Sequence, residues 1–146
     1  MLKTSFFGLK SAKTQTMNQH ISRVTLMVKD HDEALAFYTE VLKFKVVEDV
    51  QRSPEKRWVI IAPPGDTQCA LLLSKAKSEK EMASVGNQTG GRVFMFLYTD
   101  DFWRDVKHMQ QHNVKFVTEP TEKDFGKVVV FEDLYGNKWD FIEPKI

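Results

Sequence analysis

Apolar and polar residues alternate along the chain from Ile21 onward, in a pattern that changes between strand and helix. In residues 23–28 every second side chain is apolar, which predicts a half-buried strand. Asp30 follows as a helix cap, with Glu33 completing a capping-box-like pair, and the next apolar residues share one broad helical face as far as Leu42. Three further strands are predicted over residues 44–50, 57–62 and 69–74.

The same order of elements returns in the second half of the chain. The pattern predicts a strand, a helix and three strands over residues 92–98, 100–112, 114–117, 128–131 and 138–142. Arg23-Val24 aligns with Arg92-Val93 at an offset of roughly 70 residues, and the other elements follow at nearly the same offset. Such repetition predicts an internal duplication, with two βαβββ modules at about 20–74 and 91–146 that form a curled mixed sheet of the α+β class.

The connector between the modules, residues 75–90, is polar and its end is rich in glycine, which favours a mobile connector or lid. The length of 146 residues fits one domain, taken here as residues 20–146. Residues 1–19 lie in a stretch without acidic side chains, and their short apolar group is interrupted by polar residues. We expect them to form a flexible N-terminal extension and not a secretory signal.

Charge and composition exclude several classes of function. The net charge of +1 gives no basic excess of the kind that nucleic-acid binders carry. No apolar run approaches the roughly 20 residues of a membrane span. The single cysteine, Cys69, excludes an intrachain disulfide and fits a reducing compartment. The sequence therefore predicts a cytoplasmic protein that binds neither nucleic acid nor membrane.

Three motifs carry a resemblance to a known family. They are Arg-Val-Thr-Leu-Met-Val-Lys-Asp at 23–30, Ala-Phe-Tyr-Thr-Glu-Val-Leu at 36–42 and Phe-Glu-Asp-Leu-Tyr-Gly-Asn-Lys-Trp-Asp at 131–140. With the duplication, the chain from about Ile21 to Pro144 resembles the vicinal oxygen chelate superfamily, which includes glyoxalase I, extradiol dioxygenases and bleomycin-resistance proteins. The resemblance implies modules that curl into cups, paired modules that close a cavity, and a homodimer. It leaves function open, because one scaffold serves many activities.

Metal-dependent members of that superfamily place one ligand on the first and one on the last strand of each module. The matching positions here hold Arg23, Leu72, Arg92 and Asp140, and only Asp140 could bind a metal ion. A divalent ion needs about three protein ligands even in an open catalytic site. The sequence therefore predicts that no metal or other cofactor is bound.

The two arginines suggest a different chemistry for the cup. Strand alternation predicts that Arg23, Thr25 and Met27 share one face, and that Arg92, Phe94 and Phe96 share the equivalent face with Asp140. Two guanidinium groups in one cavity would favour an anion, whose carboxylate or phosphate matches the planar fork. The alternative is a closed salt-bridge network with Asp140 and a neighbour such as Glu143.

Three further residues are candidate ligand contacts. Trp58 could stack on a ligand ring. Asn87 and Gln88, in the glycine-rich end of the connector, could cover a ligand as a lid, although a plain linker fits the same pattern. Trp139 should face the helix layer and lie in the core.

Two classes of function remain open. One is an enzyme related to lyases, isomerases or dioxygenases, acting without the usual metal on a small anionic substrate held by Arg23 and Arg92. Asp140 is its candidate catalytic residue, although pairing with an arginine would lower its pKa and make it a poor base. The other is a non-catalytic drug- or metabolite-binding protein, as in resistance proteins. The sequence gives no positive sign of a protein-interaction module.

Overall fold

A computed structural model describes residues 16–65 and 68–146 and shows two modules of the same design. In the first module, the strands are β1 (Arg23–Val28), β2 (Lys45–Ser53), β3 (Lys56–Ala62) and β4 (Ala70–Lys75), in the sheet order β1-β4-β3-β2. Strand β1 pairs with β4 in parallel, and the other pairs are antiparallel. Most of the expected N-terminal extension, residues 1–15, lies outside the described residues.

Helix α1 (His31–Ala36) begins where the sequence pattern predicts, because the Asp30 carboxylate accepts a 2.9 Å hydrogen bond from Glu33 N. It continues as a π-helical segment, Phe37–Val41. A short helix, α2 (Glu79–Ser84), lies inside the connector, where the sequence pattern predicted no element. Ser78 caps α2 by accepting a hydrogen bond from Glu81 N.

The second module repeats the first. Its elements are β5 (Val93–Tyr98), α3 (Phe102–Gln111), β6 (Thr121–Lys123), β7 (Gly126–Glu132) and β8 (Lys138–Pro144). The sheet order is β5-β8-β7-β6, again with a parallel first pair. The predicted α+β fold of two βαβββ modules is confirmed, as two four-stranded mixed sheets that are not closed on each other.

The prediction of a strand over residues 114–117 is wrong. Only Phe116 forms a bridge there, to Phe131, and the short strand β6 begins later, at Thr121. The side chain of Thr118 explains the interruption, because its hydroxyl accepts the hydrogen bond that Val130 N would otherwise give to a backbone carbonyl. Pro120, just before β6, has no N–H to donate to a ladder.

The predicted alternation on β5 is also wrong at one position. The pairing of β5 with β8 slips between Val93 and Met95. The ring of Phe94 consequently lies 5.8 Å from the ring of Trp139, on the core side of the sheet. Phe94 therefore does not share a face with Phe96 and Asp140.

One hydrophobic core joins both modules. Tyr38 from the first and Phe102 and Phe131 from the second are fully buried in it, and Trp139 is 3% exposed, which confirms its predicted place in the core. The Tyr38 ring lies 6.0 Å from the Trp139 ring. In the part of the chain that the structure describes, every helix is too short or too polar to cross a membrane.

Candidate functional site

Each sheet has an outer face, opposite the core, that carries several of the predicted cup residues. On the first sheet, register places Thr25 and Ile60 beside Leu72. On the second sheet, it places Phe96 and Val130 beside Asp140 in the same way. Leu72 and Asp140 therefore occupy equivalent positions of the duplicated fold, as the sequence alignment predicts.

Asp140 lies in apolar surroundings on the outer face of the second sheet. Its Oδ1 atom is fully buried and has no hydrogen-bond partner among the described residues. Burial raises the pKa of the Asp140 carboxyl above its ordinary value of 3.8. This differs from the lowered pKa that an ion pair with arginine would produce, because neither Arg23 nor Arg92 contacts this carboxylate.

Neither arginine forms an ion pair or hydrogen bond with Asp140 within the described part of the chain. Arg23 begins β1, is exposed, and donates 3.0 Å and 2.8 Å hydrogen bonds to the carbonyl and hydroxyl oxygens of Ser22. Arg92 is exposed and precedes β5, so that register places Val93, and not Arg92, opposite Lys138. The closed network with Glu143 does not form, because Glu143 accepts hydrogen bonds from Phe102 N and Lys127 Nζ.

The residues at the family's metal positions do not fit a divalent ion. Arginine cannot ligate, leucine has no donor atom, and the single carboxylate of Asp140 leaves a set far short of three ligands. Within residues 16–65 and 68–146, no group of three or more His, Cys, Asp or Glu side chains is placed to hold a metal. The residues at these four positions therefore do not make up a site for a divalent ion.

A cavity of about 730 Å³ lies where the β2–β3 hairpin meets the end of β4. Trp58, Leu72 and Ser74 line it, and the Trp58 side chain is half-buried. The guanidinium carbon of Arg52 lies 5.8 Å from the centre of the Trp58 ring, so that Arg52 lies over one face of the indole. The volume falls within the usual range for small-molecule sites, roughly 300–1,000 Å³.

The rim of this cavity, which we call the Trp58 cavity, is basic. Its lining includes four cationic side chains, Lys56, Arg57, Lys75 and Lys77, and two carboxylates, Asp30 and Glu55. Arg57 is neutralised by ion pairs of 2.8 Å to Asp32 and 2.9 Å to Asp49. Lys56 and Lys75 form no ion pair within the described part of the chain. The sequence pattern missed these lysines, since they flank strands and only the folded hairpin brings them together.

The two connector residues predicted as a lid have different surroundings. Gln88 lies along the free edge of β1, where its Oε1 accepts a 2.8 Å hydrogen bond from Met27 N and its Nε2 donates a 2.5 Å hydrogen bond to Thr25 O. Asn87 is exposed. The Gln88 amide thus replaces a neighbouring strand at this edge, and neither residue lines the Trp58 cavity.

Comparison with known proteins identifies the fold and near relatives. Residues 20–141 match the family described as Glyoxalase/Bleomycin resistance protein/Dioxygenase superfamily. An uncharacterized protein of Shewanella frigidimarina (strain NCIMB 400) is 51% identical over 128 residues, which cover 87% of this chain and 95% of that protein. The uncharacterized protein YetH of Bacillus subtilis (strain 168) is 30% identical, over 83% of this chain and 95% of its own length.

Two solved structures are similar to the whole described fold. UcmS2 is 29% identical with a TM-score of 0.75, over 87% of this chain and 99% of its own. TnmS3, an antibiotic binding protein from Streptomyces sp. CB03234, is 24% identical with a TM-score of 0.70, over 90% of this chain and 100% of its own. At that identity the likeness to TnmS3 shows the fold alone.

Proposed function

This chain belongs to the glyoxalase/bleomycin resistance protein/dioxygenase superfamily, and from that premise we propose that it binds a small planar acidic molecule without a metal ion. The observation that carries the proposal is the Trp58 cavity, which combines a half-buried indole with a basic rim. The antibiotic binding of TnmS3, a protein of the same fold, is consistent with a non-catalytic binding role.

The lining of the cavity determines the class of ligand. Trp58 and Leu72 offer a flat apolar surface, on which an aromatic ring can stack with a gain beyond its area burial. Lys56 and Lys75 have no ion-pair partner among the described residues and favour a carboxylate, while the paired Arg57 contributes little net charge. Ser74 and Gln51 add neutral hydrogen-bonding groups. An aromatic carboxylate satisfies these three features together.

We also propose that the remaining cup residues lie in the interface of a homodimer. Phe96 and Tyr98 on the outer face of the second sheet are each 65% exposed, which is unusual for neighbouring aromatic side chains on a strand. If the second sheet of one chain covers the first sheet of another, Arg23 of one copy meets Arg92 and Asp140 of the other around one anion. Light scattering at micromolar concentration should give twice the chain mass, and Phe96→Lys should give a monomer; a monomeric wild type contradicts this part.

Binding can be tested with 2-naphthoate, followed by calorimetry and by thermal unfolding. We expect saturable binding and, at a hundredfold excess over the Kd, stabilisation of about 2.7 kcal/mol. 2-Naphthylmethylamine, with the opposite charge, and cyclohexanecarboxylate, without the aromatic ring, should bind more weakly. Equal binding of the amine would contradict the acidic class, and no binding of 2-naphthoate would contradict the proposal.

Matched tryptophan variants locate the site. Trp58→Leu should weaken 2-naphthoate binding by about tenfold, which corresponds to the loss of roughly 1.4 kcal/mol. Trp103→Leu is the control, because Trp103 is 49% exposed on α3 and outside the Trp58 cavity. Equal losses in both variants would place the ligand elsewhere.

Catalysis is a second candidate because of one observation, the buried and unpartnered Oδ1 of Asp140. Because burial raises the pKa of the Asp140 carboxyl, its carboxylate is a stronger base than that of an ordinary aspartate. If Asp140 is the acid or base of a reaction, the Asp140→Asn variant should keep ligand binding and lose turnover. Loss of both together would assign Asp140 to binding.

A further inference from the structure

The hydrogen-bonded turn that ends the helix spans one residue more in the first module than in the second. Phe44 N donates a 2.8 Å hydrogen bond to Tyr38 O, six positions earlier, whereas Val114 N donates a 3.1 Å hydrogen bond to Met109 O, five positions earlier. The extra residue belongs to the π-helical segment, in which Leu42 N donates to Phe37 O. Such π-segments are rare and concentrate at functional sites.

The residue that follows this wide turn is also unusual. Lys43 has a φ of 63°, and its counterpart after α3 is Asn113, with a φ of 58°. Asparagine tolerates the left-handed region and is common at the end of a helix, whereas lysine is not. The second module therefore has a residue that suits this backbone conformation. The first module has a lysine, whose presence the backbone conformation does not explain.

Lys43 lines a second cavity, which we call the intermodule cavity. Its volume is about 590 Å³, and it lies between the end of the π-helical segment, the end of β5 and helix α3. Leu97, Met109 and Phe141 give it an apolar lining, together with Val41 and Leu42 from the wide turn. It shares no lining residue with the Trp58 cavity.

The charges at its rim leave one cation unpaired. Arg104 donates a 2.8 Å hydrogen bond to Asp105 and a 3.2 Å hydrogen bond to Asp100, so that one guanidinium is shared between two carboxylates and this group keeps one excess negative charge. His108, at the same wall, has its Nε2 3.0 Å from the carbonyl oxygen of Glu40. Lys43 makes no ion pair or side-chain hydrogen bond within the described part of the chain. With Lys43 included, these four side chains sum to zero, so that the rim has no positive excess for a multivalent anion and Lys43 can pair with a single carboxylate.

We propose that the intermodule cavity is a second binding site, for an amphipathic monocarboxylate. The ligand's carboxylate binds the Lys43 ammonium, and its apolar body contacts Leu97, Met109 and Phe141. The one-residue widening of the helix positions Lys43 at the rim, and the ligand bridges the two modules at the place where His108 already joins them.

Octanoate is a suitable probe, with 1-octanol and octylamine as comparison ligands. We expect one octanoate per chain at this site, with amide NMR shifts centred on Lys43, Leu97 and His108, and weaker binding of both comparison ligands. Equal binding of 1-octanol would contradict the role of Lys43. Octanoate binding that Trp58→Leu abolishes would place the ligand in the Trp58 cavity and overturn the proposal.

The duplication supplies the best test variant, Lys43→Asn. It reproduces the residue at position 113, so it should fold at least as stably as the wild type while octanoate affinity falls by about tenfold. Lys43→Arg keeps the charge and should retain most of the affinity. Unchanged affinity in Lys43→Asn would refute the site. Because 2-naphthoate binding at Trp58 should be unaffected by Lys43→Asn, failure here is distinguishable from failure of the proposed function.

Discussion

The Tyr38 hydroxyl donates a 2.6 Å hydrogen bond to Oδ2 of Asp133, and this contact joins the helical part of the first module to the turn before β8 in the second. Asp133 is 5% exposed and also accepts hydrogen bonds from the backbone N–H groups of Tyr135 and Asn137 and from the Asn137 side chain. Four donors thus hold one buried carboxylate. Burial, together with the negative charge of Asp133, raises the pKa of Tyr38 well above 10, so that the phenol remains a donor.

Removing this hydroxyl should therefore lower stability measurably. Tyr38→Phe keeps the ring in the core but leaves Asp133 with one donor fewer. We therefore expect the free energy of unfolding, measured in urea at pH 7, to fall by about 1.5–3 kcal/mol. Tyr98→Phe is the matched control, since Tyr98 is 65% exposed, and should change the free energy of unfolding by less than about 0.5 kcal/mol. Equal effects would show that the contact contributes nothing specific.

Two glycines of the connector test whether it packs against the second module. Gly86 and Gly90 have φ values of 74° and 69°, but a Cβ on Gly86 would lie 1.8 Å from Tyr135 O, whereas one on Gly90 would meet nothing within 4 Å. Gly90→Ala should cost about 1 kcal/mol, for the backbone conformation alone. Gly86→Ala should cost at least about 3 kcal/mol, because the backbone near Tyr135 must move as well. Equal losses by chemical denaturation would mean that the connector is free of the second module.

The duplicated fold could be predicted because its signal is local and repeated. Alternation in β1 and the apolar face after Asp30 each arise from a few neighbouring residues, and the second half of the chain repeats the same order of elements. The failures arise where a single side chain overrides the period. Thr118 takes a ladder hydrogen bond and ends the strand predicted at 114–117, and the slip after Val93 turns Phe94 to the core.

The candidate site was less predictable, since it depends on which elements meet. The sequence indicates Trp58 only as an aromatic side chain that could stack on a ligand ring, and the lysines around it come from the hairpin and the end of β4. Gln88 was predicted as a lid, and the sequence gives no sign that its amide would instead match the spacing of two backbone groups on β1. Contacts between distant segments have no periodic signature.

Elemental analysis tests the expectation about metal. With Arg23, Leu72 and Arg92 at three of the four family positions, the purified protein should hold no stoichiometric Zn, Ni, Fe or Mn, because one carboxylate is too few ligands. The measurement should be repeated after incubation with each ion and desalting. Near one metal per chain, lost in Asp140→Ala, would contradict the expectation.

The pH dependence of stability tests the surroundings of Asp140. Because burial raises its pKa in the folded protein, the folded state binds the proton more tightly than the unfolded state does. The charged carboxylate therefore destabilises the fold once the pH rises above 3.8, the ordinary value, and the full effect is present above the raised pKa. Asp140→Asn removes that cost, so its melting temperature should exceed that of the wild type at pH 7.

The advantage of Asp140→Asn should shrink as the pH falls toward 3.8 and vanish below it, since the wild-type carboxyl is then neutral in both states. Groups with the opposite shift do not confuse this comparison. Asp49 and Glu143, whose pKa values are lowered by Arg57 and by Phe102 N respectively, are present in both proteins and cancel in the difference. A difference in melting temperature that is constant from pH 3 to pH 7 would mean that Asp140 is hydrated in the folded protein and that burial does not raise its pKa.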